Sequence, residues 1–305
     1  MEQVKAKPFL KWAGGKGQLI SQLRNYYPVE LQNGGIEKYF EPFIGGGAIF
    51  FDLLQNFKVK SAYISDVNKD LILVYKVIQQ KSDDLLDLLE KIKTDYLKLE
   101  ENERSEMFYQ VRQEFNEGKN DIDYCAPDEK WTIHAARTIF LNKTCFNGLF
   151  RLNSKGHFNV PFGRYKNPVI YDEQNLKAVS QVLENVEIKI SNYSECFNQI
   201  TENSFVYFDP PYRPISRTSD FTTYTGSGFG DKEQLELAAY FRKIDIEKKA
   251  KVMLSNSDPK NENQSDDFFE RAYSGYNIQK VDASRAINSN GARRGKIKEL
   301  VITNY

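Results

Sequence analysis

The sequence predicts an α/β fold with a helical segment inserted between its strands. Short apolar runs of strand length recur in both halves of the chain. One of them, residues 38–43, leads into a glycine-rich turn and then a helical pattern over 49–56, which is the order of nucleotide-binding α/β folds. Between about residues 78 and 142 strands give way to helical patterns, which indicates an inserted second domain.

Apolar residues spaced three and four apart predict the helices, and apolar runs bounded by turn residues predict the strands. The predicted helices cover residues 18–27, 49–56, 68–99 and 131–141. The predicted strands cover residues 38–43, 61–65, 186–190, 205–208, 251–256 and 296–303. We therefore assign residues 1–77 and 168–305 to the main domain and 78–167 to the insertion.

Composition excludes several classes of protein. The 305 residues are 40% hydrophobic and 28% charged, with 42 basic and 42 acidic side chains, which is typical of a globular protein that is not basic throughout. The three cysteines and two histidines are scattered, so neither a disulfide framework nor a metal site is expected. No apolar run has spanning length and the N-terminus lacks a signal peptide, so we expect a cytoplasmic protein without a membrane partner.

Two glycine-rich turns are candidate ligand sites. Gly14-Gly15 comes before Lys16, but the remaining positions of a phosphate-binding loop do not match. The second turn has the pattern Phe43-x-Gly45-x-Gly47 and follows a strand. It lacks the third glycine of the dinucleotide fingerprint, so a ligand with adenosine but no pyrophosphate fits better, which indicates S-adenosylmethionine.

Asp66 ends the next strand, about 20 residues beyond this turn, where an acidic residue accepts both ribose hydroxyls. A plain helix N-cap is the alternative interpretation of Asp66.

The run Asp209-Pro210-Pro211-Tyr212 follows the apolar strand 205–208 and predicts a rigid corner at the carboxyl end of a strand. The Asp209 carboxylate and the Pro210 carbonyl can each accept a hydrogen bond from one N–H of an aromatic amine, while Tyr212 stacks on the ring of this amine. Such acceptors favour a pyramidal nitrogen with a free lone pair. The alternative is an Asp-Pro turn that only ends the strand.

Residues 142–166 contain no acidic side chain and carry five basic ones among aromatic residues. A turn over 153–156 predicts a β-hairpin, and a basic aromatic hairpin can enter a groove of DNA. The alternative is a solvated hairpin whose basic side chains cover apolar surface. A long loop over 213–231 directly follows Tyr212 and is a candidate for closing over the substrate. The C-terminal stretch over 285–298 is a second basic cluster.

With these segments the chain resembles the Dam-type family of adenine-specific DNA methyltransferases. The matching segments, in the order of the family, are residues 11–16 (Lys-Trp-Ala-Gly-Gly-Lys), 41–47 (Glu-Pro-Phe-Ile-Gly-Gly-Gly), Asp66, 146–151 (Phe-Asn-Gly-Leu-Phe-Arg), 158–165 (Phe-Asn-Val-Pro-Phe-Gly-Arg-Tyr) and 209–212 (Asp-Pro-Pro-Tyr). The resemblance implies a seven-stranded, Rossmann-like S-adenosylmethionine-dependent methyltransferase sheet with an inserted helical DNA-recognition domain and β-hairpin.

The resemblance also implies roles for individual residues. The residues it places at the cofactor are Trp12, Lys16, Phe43, Gly45, Asp66 and Asp209. After the strand 186–190, family members often carry an aspartate before an aromatic residue; here Asn192 precedes Tyr193, and we include both. By the resemblance, five residues lie where family members that recognise GATC contact bases: Lys11, Leu149, Arg151, Pro161 and Tyr165. We add Asn147 and Arg164 of the same segments as candidate DNA-binding residues.

The predicted function is methyl transfer from S-adenosylmethionine to the amine of an adenine flipped out of double-stranded DNA, within GATC, with Asp209, Pro210 and Tyr212 as catalytic residues. Three alternatives stay open: the same chemistry on cytosine, methylation of a protein glutamine, and a DNA-binding module without catalysis. One hairpin per chain predicts a monomer. A role in restriction-modification, in a phage or in repair timing would use the same residues.

Overall fold

The computed structural model describes residues 4–213, 229–284 and 296–305. Seven strands form one sheet, in the order β3-β2-β1-β4-β5-β7-β6. In chain order the strands β1 to β7 are Lys38–Glu41, Ser61–Asp66, Val186–Ile190, Ser204–Phe208, Lys251–Ser257, Asn277–Ser284 and Lys296–Thr303. The strands β1 to β5 pair with one another in parallel, whereas β7 pairs antiparallel with both β5 and β6. The predicted α/β fold with a Rossmann-like sheet is confirmed.

Helices cover both faces of this sheet. In chain order the helices α1 to α10 are Ile20–Leu23, Glu30–Asn33, Ala48–Asn56, Lys69–Gln80, Ser82–Lys98, Glu101–Gly118, Glu129–Thr144, Glu173–Leu183, Asp231–Lys248 and Phe268–Ala272. Along β4, Phe205 and Tyr207 belong to one apolar cluster, and Val206 and Phe208 belong to the cluster on the other side. Because both faces are covered, this strand is buried along its whole length, and residues 205–208 form a continuous run of aromatic and apolar side chains instead of alternating with polar ones.

The predicted insertion forms a third apolar cluster. It contains aromatic residues of α5, α6 and α7 together with Phe150, Phe158 and Phe162 of the hairpin segment. However, α5 and α7 also contribute side chains to the main cluster on the sheet, among them Leu89 and Trp131. The division at residues 78 and 167 therefore stays a prediction, and the two parts share a core.

Several predicted elements were wrong in detail. The continuous helix over 68–99 is two helices, because Lys81 takes a non-helical conformation between α4 and α5. The helix over 18–27 is a series of short helical turns around α1. In the predicted hairpin, the described backbone makes only two isolated bridges, at Leu152–Phe158 and Cys145–Phe162, in place of regular strands.

Six of the helices and strands named above were not predicted: α2, α6, α8, α9, α10 and β6. Most of the predicted loop 213–231 and of the basic stretch 285–298 lies outside the described residues. Within the described ranges no helix is long and apolar enough to cross a membrane.

Candidate active site

The predicted site residues follow the carboxyl ends of four neighbouring strands. In sheet order, Asn192 comes after β3, Asp66 ends β2, Phe43 comes after β1 and Asp209 comes after β4. Because these strands are parallel, their carboxyl ends meet at one edge of the sheet. Residues that are far apart in the sequence are thereby brought to one edge.

The predicted catalytic corner, residues 209–212, is tied to the N-terminal glycine turn by Lys16. The Lys16 Nζ lies 2.7 Å from the Asp209 Oδ1 and 2.7 Å from the Tyr212 hydroxyl, and it donates to the Gly14 carbonyl at 3.0 Å. The Lys16 side chain is only 3% exposed, so its three N–H donors are satisfied inside the protein. This buried cation fixes the carboxylate and the phenol of the corner relative to each other.

Burial raises the pKa of Asp209 to about 6, although the Lys16 ammonium opposes this shift. The carboxylate of Glu299 raises it further. Glu41 is buried nearby and accepts a hydrogen bond from the Tyr39 hydroxyl at 2.6 Å, and burial raises its pKa well above the usual range. Asp209 therefore changes its protonation in mildly acidic solution, beside a second buried carboxyl group whose pKa is also raised.

The backbone of the corner is held by buried amide side chains. The Gln234 Nε2 donates to the Pro211 carbonyl at 2.9 Å, and the Asn256 Nδ2 donates to the Gln234 Oε1 at 3.2 Å. In contrast, no group in the described part of the chain donates to the Pro210 carbonyl. This carbonyl and Asp209 therefore remain as acceptors at the corner.

The second glycine turn packs closely against Trp12. Gly45 has φ +46°, and a Cβ at this position would lie 2.9 Å from the Trp12 Cδ1. Gly47 has φ +72°, and a Cβ there would lie 2.7 Å from the Tyr75 hydroxyl, which donates to the Gly45 carbonyl at 3.1 Å. Both positions require glycine, because only glycine combines this backbone with such close neighbours.

Asp66 lies directly against this turn. Its Oδ2 accepts from the Gly45 N–H at 3.3 Å and its Oδ1 accepts from the Asn68 N–H at 2.9 Å. Burial raises the pKa of Asp66 to about 6, against the effect of these backbone bonds. Asn68, and not Asp66, caps α4, since its side chain accepts from the Leu71 N–H. The N-cap interpretation of Asp66 is therefore wrong.

Aromatic rings form a wall beside the turn. The rings of Phe43 and Tyr193 stack with centroids 5.4 Å apart, and Phe229 meets Phe43 edge-on at 5.8 Å. Asn192 is exposed, and its side-chain oxygen accepts from the backbone and hydroxyl of Ser194. Its side-chain position is thus set by its own turn.

The residues predicted to contact DNA gather around a turn that follows α7. The Lys11 Nζ lies 5.1 Å from the centre of the Tyr165 ring, and the Phe146 N–H donates to the Pro161 carbonyl at 2.8 Å. The Arg151 Nε donates to the Asn159 Oδ1 at 2.8 Å. The other predicted residues of this group are exposed or half-buried on the same segment: Asn147, Leu149 and Arg164.

A cleft of about 420 Å³ opens beside this group and not at the catalytic corner. Lys7, Lys11 and Lys143 line it together with Tyr165. Burial lowers the pKa of Lys143 to about 8, and the neighbouring lysines lower it further. Asp172 also lines the cleft and pairs with Lys7 at 3.4 Å, so the cleft carries three lysines against one carboxylate on a protein of zero net charge.

Helix α6 supports the hairpin from behind. The Asn116 side chain donates to the Phe158 carbonyl at 3.1 Å and accepts from the Phe158 N–H at 2.7 Å. Lys119 donates to the Gly156 carbonyl at 2.9 Å and pairs with the buried Asp70 of α4 at 2.7 Å. These side-chain hydrogen bonds hold the irregular hairpin, which has few of the inter-strand backbone hydrogen bonds of a regular hairpin.

Sequence patterns missed residues whose partners are distant in the chain. Tyr75 lies within the predicted helix 68–99, and its hydroxyl holds the glycine turn by donating to the Gly45 carbonyl. The fully buried Asn142 bonds both the N–H and the carbonyl of Lys11 and also the Gly148 carbonyl. Glu299 accepts from the Tyr212 hydroxyl at 2.6 Å. In the described residues, no three His, Cys, Asp or Glu side chains are grouped to hold a metal ion.

A seven-stranded sheet of this order, with an acidic Pro-Pro-Tyr corner and a glycine turn at one edge, defines a methyltransferase-like α/β enzyme. The model of the D12 class N6 adenine-specific DNA methyltransferase family matches residues 12–287. The chain belongs to this family, and it is an adenine-specific DNA methyltransferase.

Relatives match along nearly the whole chain. The protein named Type II methyltransferase M.MjaIII, from Methanocaldococcus jannaschii, is 49% identical over 303 residues, which cover 99% of this chain and 100% of the relative. The DNA adenine methylase of Vibrio cholerae is 32% identical over 297 residues, covering 97% and 95%. That of Escherichia coli is 31% identical over 297 residues, with the same coverage.

Proposed function

We propose that this protein transfers a methyl group from S-adenosylmethionine to the N6 amine of adenine within GATC, and that it flips the target adenine out of the duplex. The observation that carries the proposal is the pair of acceptors at the corner, the Asp209 carboxylate and the Pro210 carbonyl. They lie beside Tyr212 at the same sheet edge as the glycine turn. An amine buried in the base stack cannot reach such a corner, which is why flipping is part of the proposal.

The corner acts on the amine through hydrogen bonds. An adenine amine is a weak nucleophile because its lone pair is delocalised into the ring. The Asp209 carboxylate and the Pro210 carbonyl each accept a hydrogen bond from one N–H of the amine. This geometry favours a pyramidal nitrogen with a free lone pair. Tyr212 stacks on the base and holds it in one orientation. Lys16 keeps Asp209 and Tyr212 in place from inside the protein.

The residues around the glycine turn fit S-adenosylmethionine. Trp12 packs directly against Gly45, so its partly exposed indole lies beside the turn, where it can contact a planar adenosine group. The Asp66 carboxylate beside it suits ribose hydroxyls, and the stacked rings of Phe43 and Tyr193 offer an apolar wall for a base. When bound, S-adenosylmethionine supplies an activated methyl group carried on a positively charged sulfur.

Recognition of GATC is proposed for the face that contains the hairpin and Lys11. The resemblance to family members that recognise GATC supports this, as does the close grouping of Lys11, Tyr165 and the 146–151 segment. Relatives over nearly the full length are named DNA adenine methylases. Arginine can bond a guanine edge with two hydrogen bonds, and lysines can contact phosphates.

Flipping and site choice are tested together with 2-aminopurine, which fluoresces more strongly once it leaves the base stack. It replaces the target adenine in a GATC duplex and in a duplex with the site scrambled, each with S-adenosylhomocysteine present. We expect a rise in fluorescence on binding for the GATC duplex only. Binding without a rise would contradict flipping, and an equal rise with both duplexes would contradict the GATC assignment.

A further inference from the structure

The hydroxyl of Tyr212 lies between a cation and an anion. It is 2.7 Å from the Lys16 Nζ and donates to the Glu299 Oε2 at 2.6 Å. Because an ammonium group can only donate, the single phenolic hydrogen is directed to Glu299. Two bonds in defined directions therefore fix the tip of the ring.

Glu299 reaches this position from an unexpected part of the fold. It lies on β7, where it pairs with Ser257 of β5 and Val281 of β6. Its side chain is only 11% exposed, and a buried carboxylate needs partners inside the protein. Its partners at the site are the Tyr212 hydroxyl and, at 3.8 Å, the Lys16 Nζ.

We propose that Glu299 is a positioning residue that holds the Tyr212 ring in the plane needed to stack on the target base. The inference rests on the proposed function, in which Tyr212 stacks on the flipped adenine. Glu299 does not touch the base itself; it acts through the phenol. Without it, Lys16 still contacts the oxygen, but the phenolic hydrogen has no fixed acceptor and the ring can turn.

Glu299 also affects the carboxylate that receives the amine. It shares the single charge of Lys16 with Asp209 and thereby raises the pKa of Asp209. The charged and titratable groups that face Asp209 from the surrounding elements are Lys16, Glu41, Tyr207, Tyr212 and Glu299. When the negative charge of Glu299 is removed, Asp209 is the carboxylate that remains paired with the Lys16 ammonium. The pKa of Asp209 should then fall, so that it ionises at lower pH.

A double-mutant cycle tests whether Glu299 acts through the phenol. Rates of methyl transfer at saturating substrates are measured for the wild type, Glu299→Ala, Tyr212→Phe and the double variant. We expect Glu299→Ala to lower kcat about tenfold, the range for a hydrogen bond to a charged group, with the KM for DNA nearly unchanged. At a pH well above the Asp209 pKa, where this carboxylate is ionised in every variant, the same substitution should have no further effect in the Tyr212→Phe background. An equal loss in both backgrounds would overturn the proposal.

The isosteric variant Glu299→Gln provides a second, independent readout. Its side-chain oxygen still accepts from the Tyr212 hydroxyl, so kcat should recover most of what Glu299→Ala loses. The acidic limb of the pH profile of kcat should move to lower pH, because the negative charge at residue 299 is gone. A purely structural role for Glu299 predicts no such movement, and an unmoved limb would contradict the proposal. Glu187→Ala, an exposed glutamate on β3, is the matched control and should behave as the wild type.

The two proposals fail in different ways. If the wild type forms no N6-methyladenine, the proposed function is wrong. If the wild type is active and Glu299→Ala matches it, only the role of Glu299 is wrong.

Discussion

At the residue scale, the site depends on one buried cation shared between several anionic or polar groups. Lys16 contacts Asp209 and Tyr212 directly, and Glu299 completes the group from a distant strand. Burial of an ammonium group is costly unless its donors are paired, and here they are. The lysine that the resemblance placed at the cofactor therefore also organises the catalytic corner.

Asp209 should set the acidic limit of activity. Its pKa is raised to about 6 by burial, so the carboxylate takes up a proton as the pH falls through this value and loses part of its acceptor capacity. We expect kcat to fall about tenfold per pH unit below the pKa. The measurement is methyl transfer from pH 5 to 8 (roughly the range that brackets the pKa) at saturating S-adenosylmethionine.

Asp209→Asn is the matching variant. We expect it to lower kcat by about 100-fold or more, as for loss of a preorganised polar contact, and to remove the acidic limb. Asp84→Asn, at an exposed position in α5, is the control and should keep both rate and limb. An acidic limb that persists in Asp209→Asn would assign the titration to another group.

At the element scale, the glycine turn after β1 depends on α4 beneath it. Tyr75 donates to the Gly45 carbonyl, and its hydroxyl occupies the space where a Cβ of residue 47 would lie. We expect Gly47→Ala to weaken binding of S-adenosylmethionine, because the left-handed backbone strains alanine by about 1 kcal/mol and the methyl group meets the hydroxyl. Calorimetric titration measures the change in affinity.

Tyr75→Phe separates these two causes. Tyr75→Phe removes the obstructing hydroxyl but also its bond to the Gly45 carbonyl, so Tyr75→Phe alone is the reference. Gly47→Ala should cost less affinity in the Tyr75→Phe background than in the wild type, while the backbone strain stays. An equal cost in both backgrounds would show that the contact with Tyr75 is not what limits the turn.

Helix α6 is expected to control DNA binding through the hairpin. Asn116 makes two bonds to the backbone of Phe158, so Asn116→Ala should release the hairpin and weaken the preference for GATC over scrambled DNA. Affinity for S-adenosylmethionine should not change, since the glycine turn is untouched. The control is Gln113→Ala, whose side chain bonds only its own helix. Equal discrimination in both variants would contradict this role for α6.

The elements that the sequence predicted well are those with local signals. The strands at 186–190 and 296–303 have the predicted bounds, because apolar residues and turn residues mark them. Helix α6 was missed because its surface is largely charged, and only Phe108 and Phe115 are buried. The break at Lys81 was missed because apolar spacing continues through it. Asn142 and Glu299 could not be predicted, since their partners are far away in the sequence.

At the scale of the whole molecule, the insertion and the sheet share apolar contacts through α5 and α7. We therefore expect one cooperative thermal transition, with equal calorimetric and van't Hoff enthalpies, although sequence composition changes at the insertion. Two resolved transitions would show that the insertion is an independently stable unit. Differential scanning calorimetry makes this distinction.

The zero net charge of the chain is compatible with DNA binding because positive charge is local. Lysines line the cleft beside Tyr165, and the hairpin segment carries no acidic side chain. Positive charge is thus grouped on the face that contains the hairpin segment. Asn142 of α7 bonds the backbone of Lys11, so the N-terminal segment links this face to the sheet edge where the predicted catalytic corner lies. The residues predicted to contact DNA and the predicted catalytic corner are therefore connected through residues 11–16.

The most direct test of this account is methyl transfer from labelled S-adenosylmethionine to two duplexes, one with GATC and one with the site scrambled, followed by identification of the labelled nucleoside. We expect label only in N6-methyladenine and only in the GATC duplex. Label in adenine of both duplexes would contradict the proposed site, and label in cytosine, or no label while DNA still binds, would contradict the proposed reaction.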